Sequence, residues 1–85
     1  MYYVYILKSK KDKSFYVGYT NDMERRLAEH NKGYVSYTKE RIPWNVVYYE
    51  AFVSFEDAVT REKSIKHFGK AFSQLKRRIK NSLNR

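Results

Sequence analysis

Two tyrosine-rich runs near the start of the chain, Tyr2-Tyr3-Val4-Tyr5-Ile6-Leu7 and Phe15-Tyr16-Val17-Gly18-Tyr19-Thr20, constrain its fold more than any other stretch. Both are dense in β-branched and aromatic residues, and the link from Lys8 to Ser14 is polar, so together they predict a β-hairpin. The link has no Asn-Gly or Asp-Gly to set the turn type. A register with Tyr5 and Tyr16 nearly opposite puts both phenols on one face of the sheet. A buried tyrosine hydroxyl needs a hydrogen-bond partner, so several on one small sheet point to a wet groove or a network near the surface. Any one of them alone reads as an ordinary strand aromatic.

After the hairpin, Asn21 is a helix cap with Glu24 placed three residues on to reach back toward it. This helix runs to His30 or Asn31, with Asn31 and Gly33 available to end it. Positions 23, 26, 27 and 30 share a face, which sets Arg26 and His30, one turn apart, beside Met23 and Leu27. Arg26 could instead merely flank the core, its stem buried and its head in water. Arg25 and Glu29 form an i,i+4 pair on the outer side. Gly33 to Pro43 is a loop whose Tyr34, Tyr37, Lys39 and Arg41 interleave aromatics with cations, a mixture suited to stacking on bases or gripping phosphates. Trp44 to Val53 reads as a third strand, apolar on both faces and so expected to be covered on both.

Ser54-Phe55-Glu56-Asp57 caps a second helix that ends near Gly69, with Phe55, Ala58, Val59 and Ile65 inward. Glu62 falls on the same inward stripe. A carboxylate there is expensive to bury without a cation, a donor or a metal, and Lys66 one turn on is the plain alternative to a metal. A last helix from Lys70 to about Asn81 puts Phe72, Leu75, Ile79 and Leu83 inward and Lys76, Arg77, Arg78 and Lys80 outward.

Charge narrows the choice of partner. Residues 61–85 carry nine Lys/Arg against Glu62 alone, whereas residues 1–60 carry nine against eight acids. Clustered cations gain by releasing counterions from phosphate backbones, so nucleic acid is the expected partner, and a solvated basic helix is the bland alternative. A membrane surface fits less well, because the basic face lacks an equally strong apolar one. With 85 residues, no cysteine and no leader-like segment, a single cytoplasmic domain over residues 1–85 is expected.

Two tyrosines, an inward Arg26 and His30, and an inward Glu62 on a basic frame hold the ingredients of metal-assisted phosphodiester hydrolysis. A carboxylate can hold a hard cation, cation and arginine can neutralise transition-state charge, and tyrosine or histidine can handle the proton of water.

At these residues the chain resembles the GIY-YIG nucleases. The first motif reads Tyr3-Val4-Tyr5, with Tyr3 where the family commonly has glycine, and the second reads Tyr16-Val17-Gly18. Gly18 through Arg26 followed by His30, and then Arg61-Glu62, are similar to the family's later motifs, so the likeness covers about residues 2 to 67. It implies an α+β fold, a small three-stranded antiparallel sheet flanked by helices. It also implies a DNA endonuclease acting in repair or on branched or single-stranded structures. Tyr5 would be the general base or water-orienting phenol and Tyr16 its partner near the scissile phosphate. Arg26 would stabilise the phosphate, His30 would share proton transfer or phosphate contact, and Glu62 would bind Mg2+ or Mn2+. Lys39, Arg41 and the C-terminal cations Lys76, Arg77, Arg78 and Lys80 would hold the nucleic acid, DNA rather than RNA. The polar residue that the family often places after the glutamate helix falls among Gln74, Asn81 and Asn84. Gly18 is expected to spare the backbone approaching the site. A nucleic-acid-binding module without useful catalysis, or a protein-interaction domain with a basic helix, are the rival readings.

Overall fold

A computed structural model describes residues 1–84. Strands β1 (Tyr2–Ser9), β2 (Phe15–Thr20) and β3 (Trp44–Phe52) form one antiparallel sheet in the order β2-β1-β3. The helices are α1 (Met23–Asn31), α2 (Phe55–His67), α3 (Gly69–Arg78) and the single turn α4 (Lys80–Leu83), with a 3-10 turn at Lys39–Arg41 inside the long loop. This is the expected α+β sandwich.

β1 is central and buried on both faces, which is why it reads as an almost unbroken apolar run. Val4 and Ile6 pack with Val17 against Ala58 and Ile65 of α2 and Leu75 of α3. Tyr5 and Leu7 point the other way, onto Trp44 and toward Met23 and Leu27 of α1. Phe72 and Ile79 pack against the first cluster and Leu83 is buried, as their spacing predicts.

The hairpin register, which the sequence leaves open, sets Tyr5 opposite Gly18 and Tyr16 opposite Leu7. The two phenols still share a face, but diagonally, with ring centroids 6.4 Å apart. In place of a two-residue turn, Ser9 Oγ accepts from the amides of Lys11 and Asp12, and Asp12 Oδ1 accepts from that of Ser14, a side-chain scaffold that no turn dipeptide announces.

Three expectations are corrected. The α1 cap is Asp22, whose side chain accepts from Arg25 N, not Asn21; Asn21 Oδ1 accepts from Arg25 Nη2 instead. β3 is an edge strand with a register shift opposite Ile6 and Leu7, and α1 covers only its start, so Trp44 is buried while Tyr49 is 56% exposed. The last helix breaks at Ile79 (φ −115°, ψ 29°). The bend lets α4 dock beside the end of β1, where Lys8 Nζ donates to Leu83 O at 2.6 Å. The cap at Ser54 stands as predicted, accepting from Asp57 N. Gly33, at φ +79°, follows the end of α1 in the left-handed region that glycine enters at no steric cost.

Candidate active site

Tyr5 and His30 meet because a central strand and the inward face of α1 converge on one spot. Tyr5 Oη lies 2.9 Å from His30 Nε2, and His30 Nδ1 lies 2.7 Å from Thr38 Oγ1. All three side chains are buried, at 1%, 0% and 0% exposure. Burial, opposed by the nearby Arg26 guanidinium, pushes the Tyr5 phenol up to about 12. Burial and then the Arg26 cation bring His30 down to about 4, so it is neutral at pH 7.

The Tyr5 phenol has its place because position 18 has no side chain. A Cβ on Gly18 would sit 2.5 Å from Tyr5 Oη and 2.7 Å from its Cζ. The glycine therefore makes room for a phenol, not for an approaching backbone as the sequence suggested. Gly18→Ala is expected to displace Tyr5 and destabilise the fold by about 1–3 kcal/mol, the usual cost of overpacking. In a domain this small that lowers Tm by roughly 4–8 °C per kcal/mol. A thermal melt superimposing on the parent's would mean the phenol is not held by this slot.

Arg26 flanks the network with its head one-third exposed, paired to Glu29 Oε1 at 3.0 Å. Glu29 also lies 3.7 Å from Arg25, so the expected outer pair is shared with the inward arginine. Glu62 projects from α2 on the opposite face of the sheet and is only 8% exposed, as its position on the inward stripe predicts. Its Oε2 pairs with Lys66 Nζ at 3.0 Å, so the plain alternative partner is present. The two layers meet at the β2 edge around Tyr16. The Tyr16 ring is 5.1 Å from the His30 ring and lies under Lys66 Nζ at 5.2 Å. Among the described residues no three His, Cys, Asp or Glu side chains cluster for a metal, so Glu62 is a lone carboxylate.

Arg61 of the Arg61-Glu62 pair faces elsewhere. Its guanidinium grips Glu50 of β3 through hydrogen bonds of 2.9 Å to each oxygen, and Tyr48 Oη donates to the same carboxylate at 2.7 Å. Burial raises the Glu50 pKa, and the bonds from Arg61 and Tyr48 outweigh it and leave the carboxyl low. This bridge ties α2 to β3 at the residue before Glu62.

The remaining expected residues lie outside this cluster. Arg41 pairs with Asp12 of the hairpin link at 3.2 Å, and Lys39 is exposed on the 3-10 turn. Lys76, Arg77, Arg78 and Lys80 are all exposed, Lys76 with its ammonium 4.8 Å over the Phe72 ring. Gln74, Asn81 and Asn84 are exposed and hydrogen-bond to none of the cluster among the described residues.

Thr38 and the role of Tyr37 are not legible in the sequence. Tyr37 is 77% exposed with its ring 5.8 Å from that of Tyr16, so it stands at the mouth of the site. Both lie in an irregular segment where no periodicity marks an inward position; the only signal is the aromatic and cationic composition of the loop.

The GIY-YIG catalytic-domain family model matches residues 1–74. A UPF0213 protein of Staphylococcus haemolyticus is 49% identical over 70 residues, 81% of this chain and 84% of its own length. A UPF0213 protein of Streptococcus pneumoniae is 45% identical over 65 residues, 75% of this chain and 65% of the relative. The solution NMR structure of the UPF0213 protein BH0048 from Bacillus halodurans has a similar fold, with a TM-score of 0.55 and 42% identity, covering 88% of this chain and 82% of that one.

Proposed function

The chain belongs to the GIY-YIG family of nucleases, and from that premise we propose that it is a cytoplasmic, metal-dependent endonuclease. It hydrolyses phosphodiester bonds in DNA, with repair intermediates such as branched or single-stranded structures as its substrates. The observation that carries this reading is the meeting of the Tyr5–His30 pair, Arg26 and Tyr16 at the β2 edge, with an inward Glu62 on the neighbouring helix.

Tyr5 orients the attacking water and accepts its proton, with His30 behind it. A neutral His30 is free to accept a proton, and a phosphate bound nearby opposes the Arg26 cation and makes the imidazole more basic. Arg26 neutralises charge building on the phosphate, and Tyr16 contacts the scissile group. Glu62 fits Mg2+ or Mn2+ as a single carboxylate ligand, since Mg2+ keeps several waters and is often held by one or two carboxylates with substrate phosphate. Its ion pair with Lys66 marks a position that already accepts a cation. When bound, the metal would supply Lewis-acid stabilisation of the phosphate.

The Lys66–Glu62 pair also favours a second reading, a binding module on the same fold, because it satisfies the carboxylate without a metal. Incubation with single-stranded, duplex, flap and branched DNA and with RNA, in Mg2+, Mn2+ or EDTA, separates the two. Metal-dependent cleavage supports the enzyme. Salt-sensitive binding with no cleavage of any substrate supports the module.

Binding itself is expected to be largely blind to base sequence and steeply salt-dependent. Replacing Lys76, Arg77, Arg78 and Lys80 with glutamine should flatten the slope of log affinity against log salt by about 0.7–0.9 for each phosphate that is no longer neutralised. An unchanged slope would return these residues to a solvated face.

A further inference from the structure

We propose that Thr38 is a positioning residue that holds His30 in the tautomer protonated on Nδ1, so that Tyr5 donates its hydroxyl proton to Nε2 and turns its oxygen outward as an acceptor. Two proton arrangements are possible along this buried chain, and Tyr5 separates them. Thr38 Oγ1 lies 2.7 Å from His30 Nδ1 and at a longer 3.4 Å from Val35 O, a carbonyl that also accepts from the amides of Thr38 and Lys39 at 3.1 Å, so the direction of the Thr38 hydroxyl is decided at the Tyr5 end of the chain. If the Thr38 hydroxyl donates to Val35 O, it must accept from His30 Nδ1–H, which leaves Nε2 without a proton. Tyr5 Oη–H then donates to Nε2 across 2.9 Å, and every group has a partner.

The opposite tautomer fails at Tyr5. With Nε2–H aimed at Tyr5 Oη, the tyrosine's own proton would be left beside the Arg26 guanidinium, which has no acceptor atom. No other hydrogen bond of Tyr5 Oη occurs among the described residues, and the side chain is 1% exposed. A buried donor without an acceptor is the costly arrangement. A doubly protonated His30 would strand the same proton, in keeping with the low basicity that burial and Arg26 give it.

Thr38 is itself pinned from outside the network. Trp44 Nε1 donates to Thr38 O at 3.0 Å. Asn31, the last residue of α1, accepts from Trp44 N at 2.7 Å and donates to Trp44 O at 3.0 Å. The loop is thus tied to the helix that carries His30, which accounts for a buried threonine in an otherwise open segment.

The consequence for catalysis rests on the nuclease reading; the tautomer does not. As a proton from water arrives on Tyr5 Oη, the proton already there passes to His30 Nε2. Hydroxide adds to phosphorus, the bond to the leaving oxygen breaks with its electron pair on that oxygen, which takes a proton from solvent, and the Nδ1 proton stays on His30, hydrogen-bonded to Thr38. The net transfer is one proton from water to His30.

The experiment is nitrogen-15 NMR of the two imidazoles in the full chain, with a His67→Gln sample to assign them, for the parent, Thr38→Val and Thr38→Ser. The expected result is a proton on Nδ1 of His30 in the parent and in Thr38→Ser, and its loss from Nδ1 in Thr38→Val, which keeps the side chain's shape and removes the hydroxyl. Cleavage should fall about 100-fold in Thr38→Val and recover in Thr38→Ser, the low end of what a positioned proton-transfer group contributes. A parent with its proton on Nε2, or a folded Thr38→Val that keeps it on Nδ1, overturns the proposal. If the tautomers behave as stated and the parent cleaves nothing, the nuclease reading fails and the role of Thr38 toward His30 stands.

Discussion

Tyr5→Phe is expected to slow cleavage about 100-fold or more while leaving nucleic-acid affinity unchanged. The substitution removes one oxygen from a ring that Leu7 and Trp44 hold in place, so the geometry of the site survives and only the proton chemistry is lost. It is not silent for stability. His30 Nε2 loses its 2.9 Å partner inside the protein, which costs about 1 kcal/mol net and lowers Tm by roughly 4–8 °C. Single-turnover rates therefore belong well below both melting points, where a fold only slightly weakened cannot account for a hundredfold loss. The comparison that decides the assignment is Tyr16→Phe. The Tyr16 hydroxyl hydrogen-bonds to nothing among the described residues, so its removal should weaken binding of substrate and leave Tm near the parent's. Parental rates in Tyr5→Phe with a slow Tyr16→Phe would exchange the roles given to the two phenols.

What could be read from the sequence follows from where periodicity carries information. Arg26 and His30 were legible because a helix places i and i+4 on one side, and Glu62 because it interrupts an apolar stripe with a charge. The sheet was legible because β1, buried on both faces, is apolar without a break. The hairpin register was not, since Ser9 and Asp12 build its turn through side chains bonded to backbone amides, and the strands pair where that scaffold leaves them. Nor was the partial exposure of β3, because coverage of a strand depends on the length of the helix above it, and α1 is only nine residues long. The choice of Asp22 over Asn21 as cap reflects two adjacent residues with nearly equal capping preference. Thr38 is the largest omission. Its importance comes from three hydrogen bonds to residues at separations of three to eight positions, none of which leaves a pattern in an irregular loop.

Glu62→Gln is expected to abolish metal-dependent cleavage and leave binding intact or slightly tighter. The amide keeps the size of the side chain but not the charge that holds a hard cation, so chemistry should fail before the fold does. The direction of the binding effect follows from Lys66. In the parent its ammonium lies 3.0 Å from the Glu62 carboxylate and 5.2 Å from the centre of the Tyr16 ring, one cation shared between a helix and the mouth of the site. Neutralising Glu62 frees that cation for phosphate and removes a negative group from the path of a polyanion, and both changes favour binding in EDTA. The stability cost should stay at about 1 kcal/mol, because the amide removes a charge that is costly to bury and the freed Lys66 ammonium is one-third exposed to water. The measurement is paired: single-turnover cleavage against Mg2+ concentration, and binding in EDTA, for parent and variant. A purely structural Glu62 would leave the metal dependence of cleavage where it was, and a variant cutting at the parental rate would remove Glu62 from the site. The charge removed and the charge released act in opposite senses on chemistry and on affinity, so a variant that binds more tightly and cuts no longer is a pattern that simple unfolding cannot produce.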